Sequence, residues 1–152
     1  MDKRILVVGL GVFGRAIATE LFKKGLDVLV ADNNENLVND MKDDSTLAVT
    51  LDSTDERALA SLHPAEIDIA FVTIGENFEA NLLTSVLLKE MGVKKVISRS
   101  SLAVQKKIVR KSGIDLIITP EELVASLLAN DIINQSDVVE SYTRKLDNLN
   151  KS

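Results

Sequence analysis

Three glycines in the chain have the spacing and the position of a phosphate-binding turn. Gly9, Gly11 and Gly14 directly follow an apolar, strand-like run at 5–8 and open a segment of helical periodicity. Gly9 permits a tight turn, Gly11 lets backbone amides approach a pyrophosphate, and Gly14 lets the helix pack closely on the strand. The N terminus of that helix adds unpaired N–H groups and a partial positive charge. The sequence therefore predicts a phosphate site formed by Gly9, Leu10, Gly11, Val12, Phe13 and Gly14, with a purely structural turn as the alternative.

An acidic residue lies where such a turn requires one. Asp32 ends the second apolar run, 28–31, close to the offset of about 20 residues expected of a ribose-binding acid. Its carboxylate can accept both hydroxyls of an adenosine ribose and would repel a 2′-phosphate. Asn33, which is included in the predicted site, begins a segment at 33–35 that holds no arginine to offset this repulsion. The pattern favours NAD over NADP, and the alternative is an aspartate that only terminates a strand.

Asp52 and Ser53 follow the third apolar, strand-like run, 47–51. In parallel sheets that bind dinucleotides, the third strand flanks the adenine. Asp52 could accept a hydrogen bond from the exocyclic amine, and backbone groups of Ser53 could reach the ring. The same Asp-Ser-Thr-Asp run is also an ordinary helix-capping sequence, so both interpretations stay open.

A further group of candidate residues follows the fourth and fifth predicted strands. Ile74 ends the fourth strand and Gly75 directly follows it, where Gly75 permits close backbone approach to a ribose or phosphate. Asn77 either contacts the ligand or caps the next helix. Arg99 leaves the fifth strand at the same edge, where its guanidinium could pair with a phosphate or with Glu76.

Strands and helices alternate along the whole chain. The predicted strands cover 5–8, 28–31, 47–51, 67–74, 95–98 and 116–119, and the predicted helices cover 13–24, 35–42, 56–62, 78–91, 102–111 and 121–133. This pattern predicts an α/β, Rossmann-like, doubly wound parallel sheet of six strands in the order 3-2-1-4-5-6, with helices on both faces. The ligand edge lies at the carboxyl ends of strands one and four. The polar tail 135–152 has weak helical spacing and predicts a solvated helix, a linker or a frayed end.

Composition excludes several classes of function. The 152 residues suit one domain with a short appendage, and a net charge of −5 argues against a nucleic-acid-binding protein. Cysteine is absent, which excludes disulfides and thiol catalysis. No run approaches the roughly 20 apolar residues of a membrane span, so no direct membrane insertion is expected. Because the chain has a single histidine, His63, and no cysteine, the sequence predicts no transition-metal site.

Four longer segments carry a more specific pattern: GLGVFGRAIATELFKKGLDVLVAD, LDSTDERAL, DIAFVTIGENFEANLLTSVLLKEMG and SRSSLAVQKKIVRKSGIDLIITPEEL. Together they resemble the RCK N-terminal domain, the Trk/Ktr regulator module of potassium uptake systems and potassium channels. The residues that best distinguish this family from other Rossmann domains are Arg99 and the late runs 113–115 and 119–121. The resemblance implies a nucleotide-binding domain over 1–134, and a polar helical tail over 135–152 or a linker to an absent C-terminal domain.

The resemblance also implies a cytoplasmic regulatory subunit at the inner face of the cell membrane. It would form a homodimer, assemble into a ring beneath an integral membrane potassium transporter or channel subunit, and bind NAD(H) or an adenine nucleotide (ATP, ADP or AMP). Glu121 matches an acid that in relatives lies near the dimer interface and helps hold a divalent cation at the phosphates. Val12 stands where many Ktr-type members carry arginine, a departure that bears on triphosphate recognition. The contacts carried over by position are Gly9, Gly11, Phe13, Asp32, Asp52, Ser53, Gly75 and Arg99.

Two other functions compete with nucleotide sensing. The first is the cofactor-binding domain of an NAD-dependent dehydrogenase, which needs a substrate region and usually a proton donor or acceptor near the nicotinamide. The roughly 30 residues after strand six are too few to build that region, so we expect no enzyme activity. The second is an oligomerisation module that keeps its glycines for packing alone. The last helix supports dimerisation, because its apolar residues cover two sides, with Leu123, Leu127 and Ile133 on one and Val124, Leu128 and Ile132 on another. The alternative is a helix that buries both sides within its own monomer.

Overall fold

The computed structural model of the protein describes residues 3–134 and 137–151. In this part of the chain the strands are β1 Arg4–Val8, β2 Asp27–Asp32, β3 Leu47–Thr50, β4 Ile69–Val72, β5 Lys95–Arg99 and β6 Leu116–Ile118. The helices are α1 Val12–Lys23, α2 Glu35–Asp40, α3 Glu56–Ala60, α4 Phe78–Glu90, α5 Ala103–Lys111, α6 Pro120–Asn134 and α7 Val138–Leu149. Residues 1, 2, 135, 136 and 152, which belong to the predicted domain and tail, lie outside the described residues.

The strands form one sheet in the order β3-β2-β1-β4-β5-β6, as predicted. Every neighbouring pair is parallel, and β1 and β4 align with Val8 opposite Val72. Strands buried on both faces need nearly continuous apolar sequence, which is what the runs at 5–8 and 28–31 supply. The strand order reverses between β1 and β4, so the carboxyl ends of these two strands open a crevice for a ligand.

Alternate side chains of β1 pack into two separate cores, one on each face of the sheet. Val7 packs in the core that includes Ala18 of α1, and α2 joins this core. Val8 packs in the core that includes Leu88 of α4, which α3 and α5 join. Helices therefore cover both faces, and the predicted fold class is confirmed.

Polar side chains cap the starts of α2 and α3. Asn34 accepts a hydrogen bond from the N–H of Asn36 and starts α2. Asp55, the last residue of the Asp-Ser-Thr-Asp run, accepts from the N–H groups of Arg57 and Ala58 and starts α3. The starts of α2 and α3 are therefore set by local side-chain bonds, since each cap satisfies N–H groups that lack a partner in the first turn.

The chain divides into two compact units, one ending at Ile118 and one beginning at Thr119. The second unit contains α6 and α7, and the hydroxyl of Tyr142 in α7 donates to Asp131 of α6 at 2.6 Å. Of the alternatives for the polar tail, a helix is what residues 138–149 form. The domain boundary predicted at 134/135 stays a prediction. No helix in the described part of the chain is long and apolar enough to cross a membrane.

Candidate nucleotide-binding site

Two of the three motif glycines are required by packing within the chain. Gly9 follows β1 with a φ of 99°, and a Cβ there would lie 2.7 Å from the backbone nitrogen of Ile74. A Cβ on Gly14 would overlap the carbonyl oxygen of Gly9 and lie 2.6 Å from Oγ1 of Thr73. These contacts bring the start of α1 directly against β1 and the end of β4.

Gly11 is different, because packing does not explain it. A Cβ on this residue would meet no atom within 4 Å. Gly11 is also the N-cap residue of α1 and has an extended backbone with φ −67° and ψ −170°. A Cβ there therefore clashes with nothing in the chain, whereas a side chain would obstruct a phosphate approaching the helix N terminus. The open space at Gly11 therefore fits a bound phosphate group.

Asp32 is hydrogen-bonded to the turn that it was predicted to face. Its Oδ2 accepts from the N–H of Leu10 at 2.7 Å, and its Oδ1 accepts from the N–H of Asn34 at 2.8 Å. The side chain of Leu10 is fully buried, so this predicted site residue offers only its backbone. A carboxylate oxygen can accept more than one hydrogen bond, which leaves Asp32 able to accept hydrogen bonds from ribose hydroxyls as well.

Thr73 is a buried residue of the site that the sequence reasoning missed. Its hydroxyl lies 2.6 Å from the carbonyl oxygen of Gly9 and 3.1 Å from that of Val8, and its side chain touches the position of a Cβ on Gly14. Thr73 therefore holds the glycine turn against the end of β4. The available signal was a hydroxyl residue within the apolar segment 67–74.

The side chains of Asp52 and Ser53 are engaged within the chain. Oδ1 of Asp52 accepts from the hydroxyl of Thr54 at 2.6 Å and from its N–H at 2.9 Å. The side-chain bond first, and then the backbone bond, lower the pKa of Asp52. The hydroxyl of Ser53 is buried, 2.8 Å from that of Thr84. Asp52 therefore forms a local turn before the α3 cap. Ser53 offers its backbone, and not its side chain, for the predicted adenine contact.

Ile74, Gly75 and Arg99 line one open cavity of about 260 Å³ at the carboxyl ends of β4 and β5. The guanidinium of Arg99 lies across Gly75, with Nη1 3.3 Å from where a Cβ on Gly75 would be. A side chain on Gly75 would press against this group. Asn77, by contrast, caps α4 by accepting from the N–H of Ala80 at 3.0 Å, so capping is the role that it performs here.

The remaining predicted residues are placed as follows. Asn33 is exposed beside Asp32, and Val12 is 82% exposed at the first turn of α1. Phe13 is half-buried in the same turn. Glu121 lies in the first turn of α6, in the second unit. No cluster of three or more histidine, cysteine or acidic residues in the described ranges could hold a metal ion by itself, so the cation site at Glu121 stays a prediction.

Solved structures with the same fold are similar to this chain over most of its length. The NAD(P)-binding domain of an exopolyphosphatase-related protein from Archaeoglobus fulgidus matches 86% of the chain and 98% of its own length, with a TM-score of 0.76 and 24% identity. The GsuK channel bound to NAD matches 84% of the chain and 23% of its own length, with a TM-score of 0.72 and 16% identity. At these identities the likeness shows a Rossmann-like fold.

Sequence comparison shows the family. The chain is 36% identical over 136 residues to Ktr system potassium uptake protein C of Bacillus subtilis, covering 90% of this chain and 62% of that protein. It is 35% identical over 158 residues to Ktr system potassium uptake protein A of the same organism, covering 96% of this chain and 71% of that protein. The model of the TrkA-N domain matches residues 5–120. The resemblance drawn from the sequence is confirmed, and the chain belongs to the TrkA-N domain family.

Proposed function

We propose that this chain is a cytosolic regulatory domain of a potassium uptake system or channel. It binds NAD(H) or an adenine nucleotide at the glycine turn and gates a membrane partner according to its occupancy. The observation that carries the proposal is Gly11, a glycine that packing within the chain does not require and that a bound phosphate does. The similarity to the Ktr potassium uptake proteins of Bacillus subtilis and to the fold of the NAD-bound GsuK channel supports the same proposal.

The proposed ligand follows from the charges around the crevice. Asp32 can hold the two ribose hydroxyls of an adenosine, and its charge disfavours the additional phosphate of NADP. Arg99 is the cation that reaches the β4–β5 cavity, where it can pair with phosphate oxygens. Val12 places an apolar side chain at the first turn of α1, so we propose a dinucleotide or a diphosphate in preference to a triphosphate. A divalent cation held with Glu121 at the phosphates belongs to the same proposal.

Regulation without catalysis fits the placement of the few groups that could transfer protons. A dehydrogenase usually needs a proton donor or acceptor near the nicotinamide. His63, the single histidine, is exposed and directly precedes the 3-10 turn Pro64–Glu66 that leads into β4, so it lies towards the amino edge of the sheet. The ligand crevice is at the carboxyl edge. Unchanged NADH after prolonged incubation with the protein and carbonyl substrates would agree with a regulatory role, and its oxidation would contradict it.

A second copy of the chain is the proposed partner of α6. No residue of this 15-residue helix is buried, and Leu123, Leu127 and Ile133 are 56%, 53% and 80% exposed. Leu116 at the start of β6 is also half exposed. Exposed apolar side chains that share one face of a helix, as in α6, mark a protein interface. We propose that β6 and α6 form the dimer and that the two protomers adopt two relative arrangements. A nucleotide shifts the equilibrium between these arrangements only by its difference in affinity for them. A ring of such dimers would pass this shift to the membrane subunit.

Thermal unfolding with matched free concentrations of NAD, NADH, ADP, ATP and NADP tests the proposal directly. A ligand at a hundred times its dissociation constant adds about 2.7 kcal/mol to the free energy of unfolding. We expect a clear rise in Tm with NAD(H) or ADP and little with NADP. No rise with any of the five would contradict nucleotide sensing and favour the oligomerisation module. Equal responses to NAD and NADP would contradict the role of Asp32.

A further inference from the structure

Asn81 of α4 is a buried side chain that joins two strand ends. It is 1% exposed. Its Nδ2 donates to the carbonyl of Ile74 at 2.8 Å and lies 3.2 Å and 3.3 Å from the carbonyls of Arg99 and Val72. Its Oδ1 accepts from the hydroxyl of Ser98 at 2.7 Å. Every polar atom of this amide is therefore engaged, and all of its partners lie at the carboxyl ends of β4 and β5.

These bonds take over where the backbone ladder between the two strands ends. The last paired residues of β4 and β5 are Val72 and Ser98. Beyond them the strands lead to Ile74 and Arg99, and Asn81 bonds to both of these carbonyls. In a low-dielectric interior such bonds are strong, and their loss leaves buried carbonyls without a donor. Asn81 thus supplies hydrogen bonds in place of the ladder at the point where the segments that follow β4 and β5 begin to line the cavity.

The two chain segments that Asn81 joins carry the Arg99–Gly75 contact. Gly75 directly follows Ile74, and Nη1 of Arg99 lies 3.3 Å from the position of a Cβ on Gly75. We infer that Asn81 is a positioning residue for nucleotide binding, which holds the backbone of both segments so that the Arg99 guanidinium stays over Gly75 at the cavity. The inference rests on the proposed function, because it assigns that guanidinium to the bound nucleotide.

Ser85 provides a matched control on the same helix. It is also fully buried, and its hydroxyl donates to the backbone carbonyl of Asn81 at 2.8 Å, within α4. Substitution of Ser85 disturbs the same buried helix face without removing the bonds to the strand ends. If a residue only stabilises α4, its substitution should change the affinity equally with and without Arg99. If a residue positions Arg99, its substitution should weaken binding only when Arg99 is present.

The experiment is a thermodynamic cycle measured by calorimetric titration with NAD and, in parallel, with ADP. Asn81→Ala is expected to weaken binding about tenfold in the wild-type background, the size of one lost charge-assisted hydrogen bond. In an Arg99→Gln background the same substitution should change the affinity by less than about twofold, because the group that it positions is gone. Ser85→Ala should change the affinity by less than about twofold in both backgrounds.

Each outcome decides the inference. Equal weakening by Asn81→Ala in both backgrounds would show a purely structural role and overturn it, while the proposed function would stand. A wild type that binds neither nucleotide would overturn the inference together with the proposed function. If Asn81→Ala does not fold, Ser98→Ala replaces it, because it removes only the donor to Oδ1. It should then give a smaller loss of affinity that again disappears with Arg99→Gln, and a loss that persists would overturn the inference.

Discussion

The carboxylate of Asp32 holds the backbone of Leu10, with Oδ2 2.7 Å from its N–H. The acid that ends β2 is thereby bonded to the glycine turn that follows β1. One side chain serves two roles, since it orders the proposed phosphate turn and faces the proposed ribose. A ligand that bonds to Asp32 therefore also acts on the geometry of the turn.

Replacement of Asp32 by asparagine should alter the choice of nucleotide. Asp32→Asn removes the negative charge that disfavours a 2′-phosphate, so the affinity for NADP relative to NAD should rise about tenfold. It also weakens the bonds to Leu10 and Asn34, which should lower the free energy of unfolding by about 1 kcal/mol. Calorimetric titration and urea unfolding measure the two effects.

Asp27 is the matched control, because it lies at the other end of the same strand and pairs with Arg4 at 2.7 Å. Asp27→Asn should leave the ratio of NAD to NADP affinity unchanged. A ratio that changes equally in both variants would show that overall charge, and not the position of Asp32, sets the preference.

Gly11 and Gly14 should respond oppositely to a larger side chain. Gly11→Val should keep the fold, because its Cβ would meet no atom of the chain within 4 Å, and should abolish nucleotide binding. Gly14→Ala should lower the free energy of unfolding by about 3 kcal/mol or more, because its Cβ overlaps the carbonyl of Gly9. Circular dichroism under urea and calorimetric titration give both values. A folded Gly11→Val variant with unchanged affinity would place the phosphates elsewhere.

Asp115 should make the stability depend on pH in the acid range. Burial raises the pKa of this carboxyl, but the hydrogen bonds from Lys89 and from the N–H of Val96, together with the charge of Lys89 and a bond from Lys95, outweigh it and lower the pKa from 3.8 to about 2. Because the folded value is depressed, the contribution is full above about pH 4 and is lost as the pH falls towards 2.

The side chain of Asp115 is 21% exposed, so we expect a contribution of about 1 kcal/mol after allowance for solvent screening. Urea unfolding at pH 6 and pH 2.5 should show a loss that is larger by this amount in the wild type than in Asp115→Asn, since Asp52 and Asp68, whose pKa values are also lowered, contribute in both proteins. Nucleotide affinity at pH 7 should be unchanged in this variant, because Asp115 precedes β6 at the amino edge of the sheet. A change in affinity would contradict the placement of the site.

A charged residue on α6 should dissociate the proposed dimer. Leu127 is 53% exposed and Leu128 is half-buried, so Leu127→Glu is the cleaner test of an interface. The wild type should sediment as a dimer at micromolar concentration, and Leu127→Glu as a folded monomer. Asn39→Glu adds the same charge at an exposed position of α2, which packs on β2 and β3 at the opposite side of the sheet from β6, and it should remain dimeric. A monomeric wild type would contradict the proposal.

The sequence by itself determined the elements, their order in the sheet, the glycine turn and the family. These features are local or follow from general rules: short apolar runs make buried strands, caps begin helices, and short right-handed connections order parallel strands. Element ends moved by a few residues, as for β4, predicted over 67–74 and observed at Ile69–Val72, because the edges of regular structure are set by individual hydrogen bonds.

Only the tertiary structure decided how the polar side chains are used. Asp32 bonds to Leu10 across 22 residues, Ser53 to Thr84 across 31, and Thr73 to Gly9 across 64. Asn81 joins strand ends on both sides of its own helix in the sequence. A local pattern contains the residue types but not which distant carbonyl or hydroxyl will lie within 3 Å after packing. The partners of buried polar groups are therefore chosen by the fold as a whole, because each such group must find a hydrogen bond wherever packing places it.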